Sequence, residues 1–161
     1  MSTSPPDLPA APAAVRSRWR WLWLGLLLIW AGPATLLGLI IGLLALPTGT
    51  RWRRIGPTLE IYGGLVALLL SWTPVRAVAL TLGHVVLGQN ADVLDEVREH
   101  EWVHVRQYER WGPLFLPAYL GCSLWLWFRG RDCYRENPFE IEAFSADALR
   151  AQSRSRQPPL R

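Results

Sequence analysis

Lysine is absent from this 161-residue chain: all 17 basic residues are arginine, set against 13 acidic residues for a formal net charge of +4. The excess comes with no nucleic-acid-binding motif, so it points away from DNA or RNA as a partner and toward an anionic surface. Cysteine is scarce as well. Cys122 and Cys133 form no CxxC pair, which excludes a disulfide framework and a thiolate zinc knuckle. Charged residues make up only 19% of the chain, while half of it is apolar and ten residues are tryptophan. That balance excludes an intrinsically disordered protein and is unusual for a freely soluble one, so a membrane contact is the first expectation. A mass of 18.3 kDa allows one domain plus a tail or an anchor, and excludes a large multidomain enzyme.

Composition divides the chain. Residues 1–15 and 151–161, rich in Pro, Ala, Ser and Arg, cannot build a core and are expected to be disordered. Between Arg20 and Pro47 lie 26 uncharged residues, a helix length of about 39 Å against a hydrocarbon core of about 30 Å. Residues 19–47 are therefore expected to be a membrane segment. It is either one span kinked at Gly32-Pro33 or a re-entrant hairpin bent there, and it is too long for the core of a cleaved signal peptide. Arginines flank both ends, so charge gives no orientation. From Leu59 to Gln89 the apolar runs are shorter and broken by Gly63-Gly64, Thr73-Pro74, Gly83 and Gly88, which predicts two or three short strands.

A helix is predicted next, capped by Asn90 or Asp92 and stopped by Gly112-Pro113. Val93, Val97, His100, His104 and Trp111 share one face of it, which turns both histidines inward. The apolar run after it, near 114–128, reads as a core or interfacial helix, and a final helix should open at Pro138 and reach about Ala151.

His100-Glu101-Trp102-Val103-His104 is an H-E-x-x-H sequence. Residues four apart on a helix lie about 6 Å apart along the axis on nearly the same face, so the two imidazoles can converge on one ion. Zn²⁺ accepts such nitrogens and in catalytic sites keeps a position for water. Glu101 points about 100° round the helix, toward that water, where a carboxylate can serve as general base. With three His and eight Glu in the chain, random order gives this pattern only about 0.3% of the time. A solvated, salt-bridged helix would explain the charges around it, but not the histidines aligned with Val93 and Val97.

Two histidines require a third protein ligand downstream. Glu140, in the first turn of the final helix, is the leading candidate, with Glu142 the alternative and Asp147 a more distant one. Glu140 and Glu142 differ by about 200° on a helix, so only one of them can face the ion. Here the chain resembles the gluzincin group of zinc metallopeptidases, in which H-E-x-x-H on one helix is completed by a glutamate on a later one. The resemblance covers residues 75–148. In several members the later motif runs E-x-x-A-D, which Glu140 to Phe144 matches except in its last position. A further similarity is to a family of small bacterial membrane proteins with HExxHxxQY, here His100 to Tyr108, and NPFExEA, here Asn137 to Ala143; it names no substrate.

His84 should alternate with Leu82 and Val86 on a strand and act structurally. The resemblance implies that an edge strand before the catalytic helix binds substrate backbone. Gln107 and Tyr108 follow the motif by one turn, where either packs or orients a ligand, and Tyr119 and Tyr134 are candidate oxyanion donors.

The combined expectation is an α+β protein: an N-terminal transmembrane segment followed, over residues 55–150, by a minimal zincin-like domain of two or three short strands and then three helices. It would be a zinc metallopeptidase at a bacterial inner membrane, with His100, His104 and Glu140 holding Zn²⁺ and Glu101 as base. Its partners would be membrane lipid and a peptide or membrane-protein substrate. The alternative is a non-catalytic membrane protein with a structural zinc site.

Overall fold

The computed structural model describes residues 30–73 and 76–155. Helix α1 spans Gly32–Ala45 and ends in a 3-10 turn at Leu46–Thr48. Strands β1 (Arg51–Ile55) and β2 (Thr58–Tyr62) lead into helix α2 (Gly64–Ser71), followed by β3 (Ala79–Leu82) and β4 (Val85–Gly88). The long helix α3 (Ala91–Trp111), α4 (Phe115–Phe128) and α5 (Pro138–Ser155) complete the chain. The sheet order is β1-β2-β4-β3: two antiparallel hairpins joined by the parallel pairing of β2 with β4. This puts β3 at an edge, beside the N-terminal half of α3.

The strands have two sided burial. Ile61, Leu82, Val85 and Leu87 meet Ala45 of α1 and Val66 and Leu70 of α2 in one core. The opposite face carries Thr58, Glu60 and Thr81, each contacting α3 through Trp102, Arg98 and Glu101 respectively. A second cluster, Ala31, Tyr108, Phe115 and Phe139, joins α3, α4 and α5. Helix α3 therefore lies between the sheet and α5, and this explains why its buried set is wider than one stripe: Leu94, Glu101, Val103, His104, Val105, Gln107 and Tyr108 are all buried, while Trp111 is exposed.

The expected transmembrane segment and the membrane localisation built on it are overturned. Among the described residues no helix is long and apolar enough to cross a membrane. Of the segment 19–47, residues 30–47 are described, and their helix has 14 residues, about 21 Å. Gly32-Pro33 starts this helix, with Pro33 in the first turn where its missing N–H costs nothing, and the part of the expected segment before Trp30, with the choice between a kink and a hairpin bend, lies outside the described residues. Gly38 and Gly42 then let α1 lie directly on the sheet. A Cβ at Gly38 would come 2.7 Å from Val85 Cβ, and one at Gly42 would come 2.4 Å from Ile61 Cδ1. Leu39 and Ile41 pack against the sheet's core while Leu36, Leu37, Ile40, Leu43 and Leu44 are exposed, and through its packed side α1 belongs to the same unit as the domain expected at 55–150.

The run Leu65–Trp72 is helix, not strand. Gly63-Gly64 turns the chain out of β2, and Thr48 Oγ1 accepts from the Leu65 N–H at 2.7 Å, meeting one of the first-turn donors. The run is apolar on all sides, which hid the i, i+4 spacing of its buried Val66 and Leu70. The actual hairpin turns are Gly56-Pro57 and Gly83-His84. Gly83 has φ +62 and sits under α1, where a Cβ would meet Thr35 Oγ1 at 2.2 Å. His84 is thus in a turn, 3.4 Å from Glu109 Oε1 and away from the other histidines. At the C-terminus α5 continues to Ser155, into the tail expected from 151. The disordered lead expected at 1–15 and the tail residues 156–161 lie outside the described residues.

Candidate metal centre

Helix α3 is set in place at both ends. Asn90 Oδ1 accepts from Val93 N–H at 2.9 Å, the N-cap bond that satisfies a first-turn donor. Eight residues after the N-cap, Arg98 pairs with Glu60 on β2 at 2.8 Å, and Arg53 on β1 reaches the same carboxylate at 2.6 Å. Both arginines also meet Asp95. Helix α5 is fixed through Asn137, which is fully buried: its Oδ1 accepts from Phe139 N–H, and its Nδ2 donates to Tyr119 O and Ser123 Oγ on α4. This places Glu140 in the first turn of α5, facing α3.

The result is a convergence of three side chains from two helices. His100 Nε2 lies 3.3 Å from Glu140 Oε2, and His104 Nε2 lies 3.5 Å from Glu140 Oε1. The imidazole rings stand edge to face with centroids 5.0 Å apart. One donor atom from each of the three falls within 4.8 Å of the others, so this buried His-His-Glu group could hold a metal ion. A carboxylate can bind an ion through either oxygen or both, and here each oxygen faces a different imidazole nitrogen. Glu140 Oε2 is buried and makes no hydrogen bond, with His100 Nε2 beside it at 3.3 Å, so its lone pairs are available to an ion.

The outer faces of the ligands are held too. His100 Nδ1 lies 2.9 Å from Asp147 Oδ2, and His104 Nδ1 lies 2.8 Å from Gln107 Oε1. Tyr119 O–H donates to Glu140 Oε1 at 2.7 Å. Burial by itself would raise the Glu140 carboxyl, but the two histidine rings and Tyr119 outweigh it and hold it down at about 2. Burial likewise works against protonated His100, yet Glu140 and Asp147 raise it to about 9; His104 is raised in the same sense. Glu101 is buried on the side of α3 that meets β3, where Thr81 O–H donates to its Oε2 at 2.6 Å. Burial pushes its carboxyl up, against the opposing pull of His104, Thr81 and His100.

A cavity of about 600 Å³ opens onto the group. The edge strand lines it through Ala79, Leu80 and Thr81, with Val78 just before the strand, and Phe115, Tyr134 and Phe144 form part of the remainder.

Of the residues expected from the sequence, His100, His104, Glu140 and Glu101 are brought together. Glu142 is not in the group: it faces outward, accepting from Gln107 Nε2 and pairing with Arg110. Tyr119 touches a candidate ligand, while His84 does not. Asp147 contacts His100 from outside rather than joining the group. Phe144 occupies the position of the missing Asp in E-x-x-A-D and packs on His100, with ring centroids 5.1 Å apart. Asp147, seven residues after Glu140 and so on the same helix face, provides the carboxylate instead. That spacing was a usable signal. Thr81 and Glu60 had none, because a strand residue's partner on a distant helix leaves no local pattern.

No protein-family model matches the chain, and neither a curated protein nor a solved structure matches it.

Proposed function

We propose that the protein is a zinc-dependent hydrolase of peptide bonds, related in mechanism to the gluzincin metallopeptidases that its motifs resemble. The observation that carries this reading is the donor set: two imidazole nitrogens and a carboxylate oxygen within 4.8 Å of one another, beside a buried glutamate on the histidines' helix and open to a cavity. Nitrogen and carboxylate donors in this number are those of catalytic zinc, which keeps a position free. Zn²⁺ held by His100, His104 and Glu140 would supply Lewis-acid polarisation of a carbonyl and acidification of a water.

The chain's own groups supply the rest. Glu101 takes the proton at its carboxylate and returns it to the leaving amine, and the Thr81 hydroxyl orients that carboxylate. Burial raises the proton affinity of Glu101, which suits a group that must both accept and donate. Among the described residues no strand pairs with the outer edge of β3, so an extended peptide can add to it as a further strand and run along the cavity past the metal position. Apolar lining at Val78, Leu80, Phe115 and Phe144 favours apolar side chains on either side of the scissile bond.

Glu101→Gln tests the mechanism. It is expected to keep stoichiometric zinc and to lose hydrolysis of a peptide library by about 10²- to 10⁴-fold, as removal of a general base does. Unchanged hydrolysis would reject the role of Glu101; zinc bound without hydrolysis by the wild-type protein would favour a structural site.

A further inference from the structure

We propose, on the premise that His100, His104 and Glu140 form a metal site, that Gln107 is a positioning residue: it fixes the His104 ring so that Nε2, and not Nδ1, is presented to the ion. Gln107 is fully buried and lies three residues after His104 on α3. A core position facing another helix is ordinarily apolar, and a buried amide is costly unless every polar atom is met.

Here each is met. The amide nitrogen is 3.0 Å from the Phe139 carbonyl and 2.9 Å from Glu142 Oε2, groups that only accept. Those two bonds use both amide hydrogens and fix which end of the amide is which. The remaining end, Oε1, is 2.8 Å from His104 Nδ1 and has no hydrogen to give, so the ring nitrogen donates. With Nδ1 committed as a donor, Nε2 is the nitrogen left with a lone pair, and it is the one 3.5 Å from Glu140 Oε1.

The arrangement extends to the surface. Glu142, which accepts from Gln107, is held in turn by Arg110 at 3.2 Å. Glu142 thus acts on the site through Gln107 while lying outside it. His100 is served differently, by the Asp147 carboxylate, so the two histidines have a neutral and a charged outer partner respectively.

The test measures Zn²⁺ and Co²⁺ binding to the full chain by competition with a chelator, with unfolding of the metal-free protein followed in parallel. Gln107→Met preserves size but neither accepts nor donates as the amide does. It is expected to weaken Zn²⁺ binding by about 10- to 100-fold and to change the visible spectrum of the Co²⁺ form. The paired exchange Gln107→Glu with Glu142→Gln gives His104 an acceptor again and gives that acceptor a donor, while losing the bond to Phe139; it is expected to recover most of the affinity. If the methionine variant does not fold, the exchange decides alone. Nitrogen-resolved NMR of the zinc form should find the His104 proton on Nδ1. Unchanged affinity and spectrum in Gln107→Met, an exchange variant as weak as the single one, or zinc on Nδ1 would each overturn the assignment. Wild-type protein that takes up neither ion removes the metal reading, and this assignment with it.

Discussion

Glu60 and Glu140 are both almost wholly buried, at 1% and 3% exposure, and both face α3, but they are compensated in opposite ways. Glu60 is gripped by the guanidiniums of Arg53 and Arg98, which never lose their charge, and both its oxygens are paired. Glu140 is met by two imidazoles, which can give up their protons, and one of its oxygens makes no hydrogen bond. A carboxylate closed off by permanent cations can only hold elements together. One surrounded by exchangeable partners can trade their protons for an ion. The same residue type at the same burial is thus a fastener between sheet and helix in one place and a candidate ligand in the other.

The largest effect expected from this contrast is on metal binding. Glu140→Gln should abolish stoichiometric zinc uptake, read by metal analysis after dialysis, while the circular dichroism spectrum stays that of the folded protein. Retained zinc would break the comparison at once.

Glu60→Gln should do the reverse. It leaves Arg53 and Arg98 with Asp95 as their remaining carboxylate, and the expected cost is about 2 kcal/mol of unfolding free energy, measured by urea denaturation. Zinc stoichiometry should be unchanged in the protein that remains folded. A stability loss as large in Glu140→Gln, with none in Glu60→Gln, would show the roles to be exchanged.

The smallest effect is in pH dependence, and its sign follows from the exchangeable partners. His100 is raised from 6.5 to about 9, so its contribution to the metal-free fold is full below pH 6.5 and is lost as pH rises through 9. Glu140 is lowered from 4.5 to about 2, so its contribution is full above pH 4.5 and is lost as pH falls through 2. Metal-free protein should therefore show an alkaline decline in melting temperature that His100→Ala reduces, His104 keeping its own share. Zinc must displace the imidazole protons, so the stabilisation it gives should grow between pH 5.5 and 9.5. Zinc stabilisation that shrinks over this range would contradict the site.

The legible part of the site was the part with a period. His100, Glu101 and His104 lie within one turn of a single helix, and the N-cap at Asn90 and the stop at Gly112 frame that helix in the sequence. Glu140 was legible because Asn137-Pro138 announces a helix start and places an acidic residue in the first turn. The α1 segment was misread for a related reason. Its leucines and isoleucines give the hydropathy of a membrane span, and hydropathy does not register that Gly38, Gly42 and Ala45 form a flat side on which a sheet can lie. Gly63-Gly64 likewise marks a change of direction without saying whether a strand or a helix follows.

The sequence by itself determined the H-E-x-x-H helix and the convergence of its two histidines, because backbone geometry converts local spacing into a shared face. The tertiary structure alone decided that Glu140 and not Glu142 faces the histidines. It also decided that Asp147 and Gln107 stand behind those histidines, that Thr81 holds Glu101, and that Glu60 fastens the helix to the sheet. Apart from Gln107, which lies three residues from His104 and is itself held by Phe139 and Glu142, those pairings join residues 20 to 47 positions apart, and such distances close only when the core packs and each buried polar atom must find a partner.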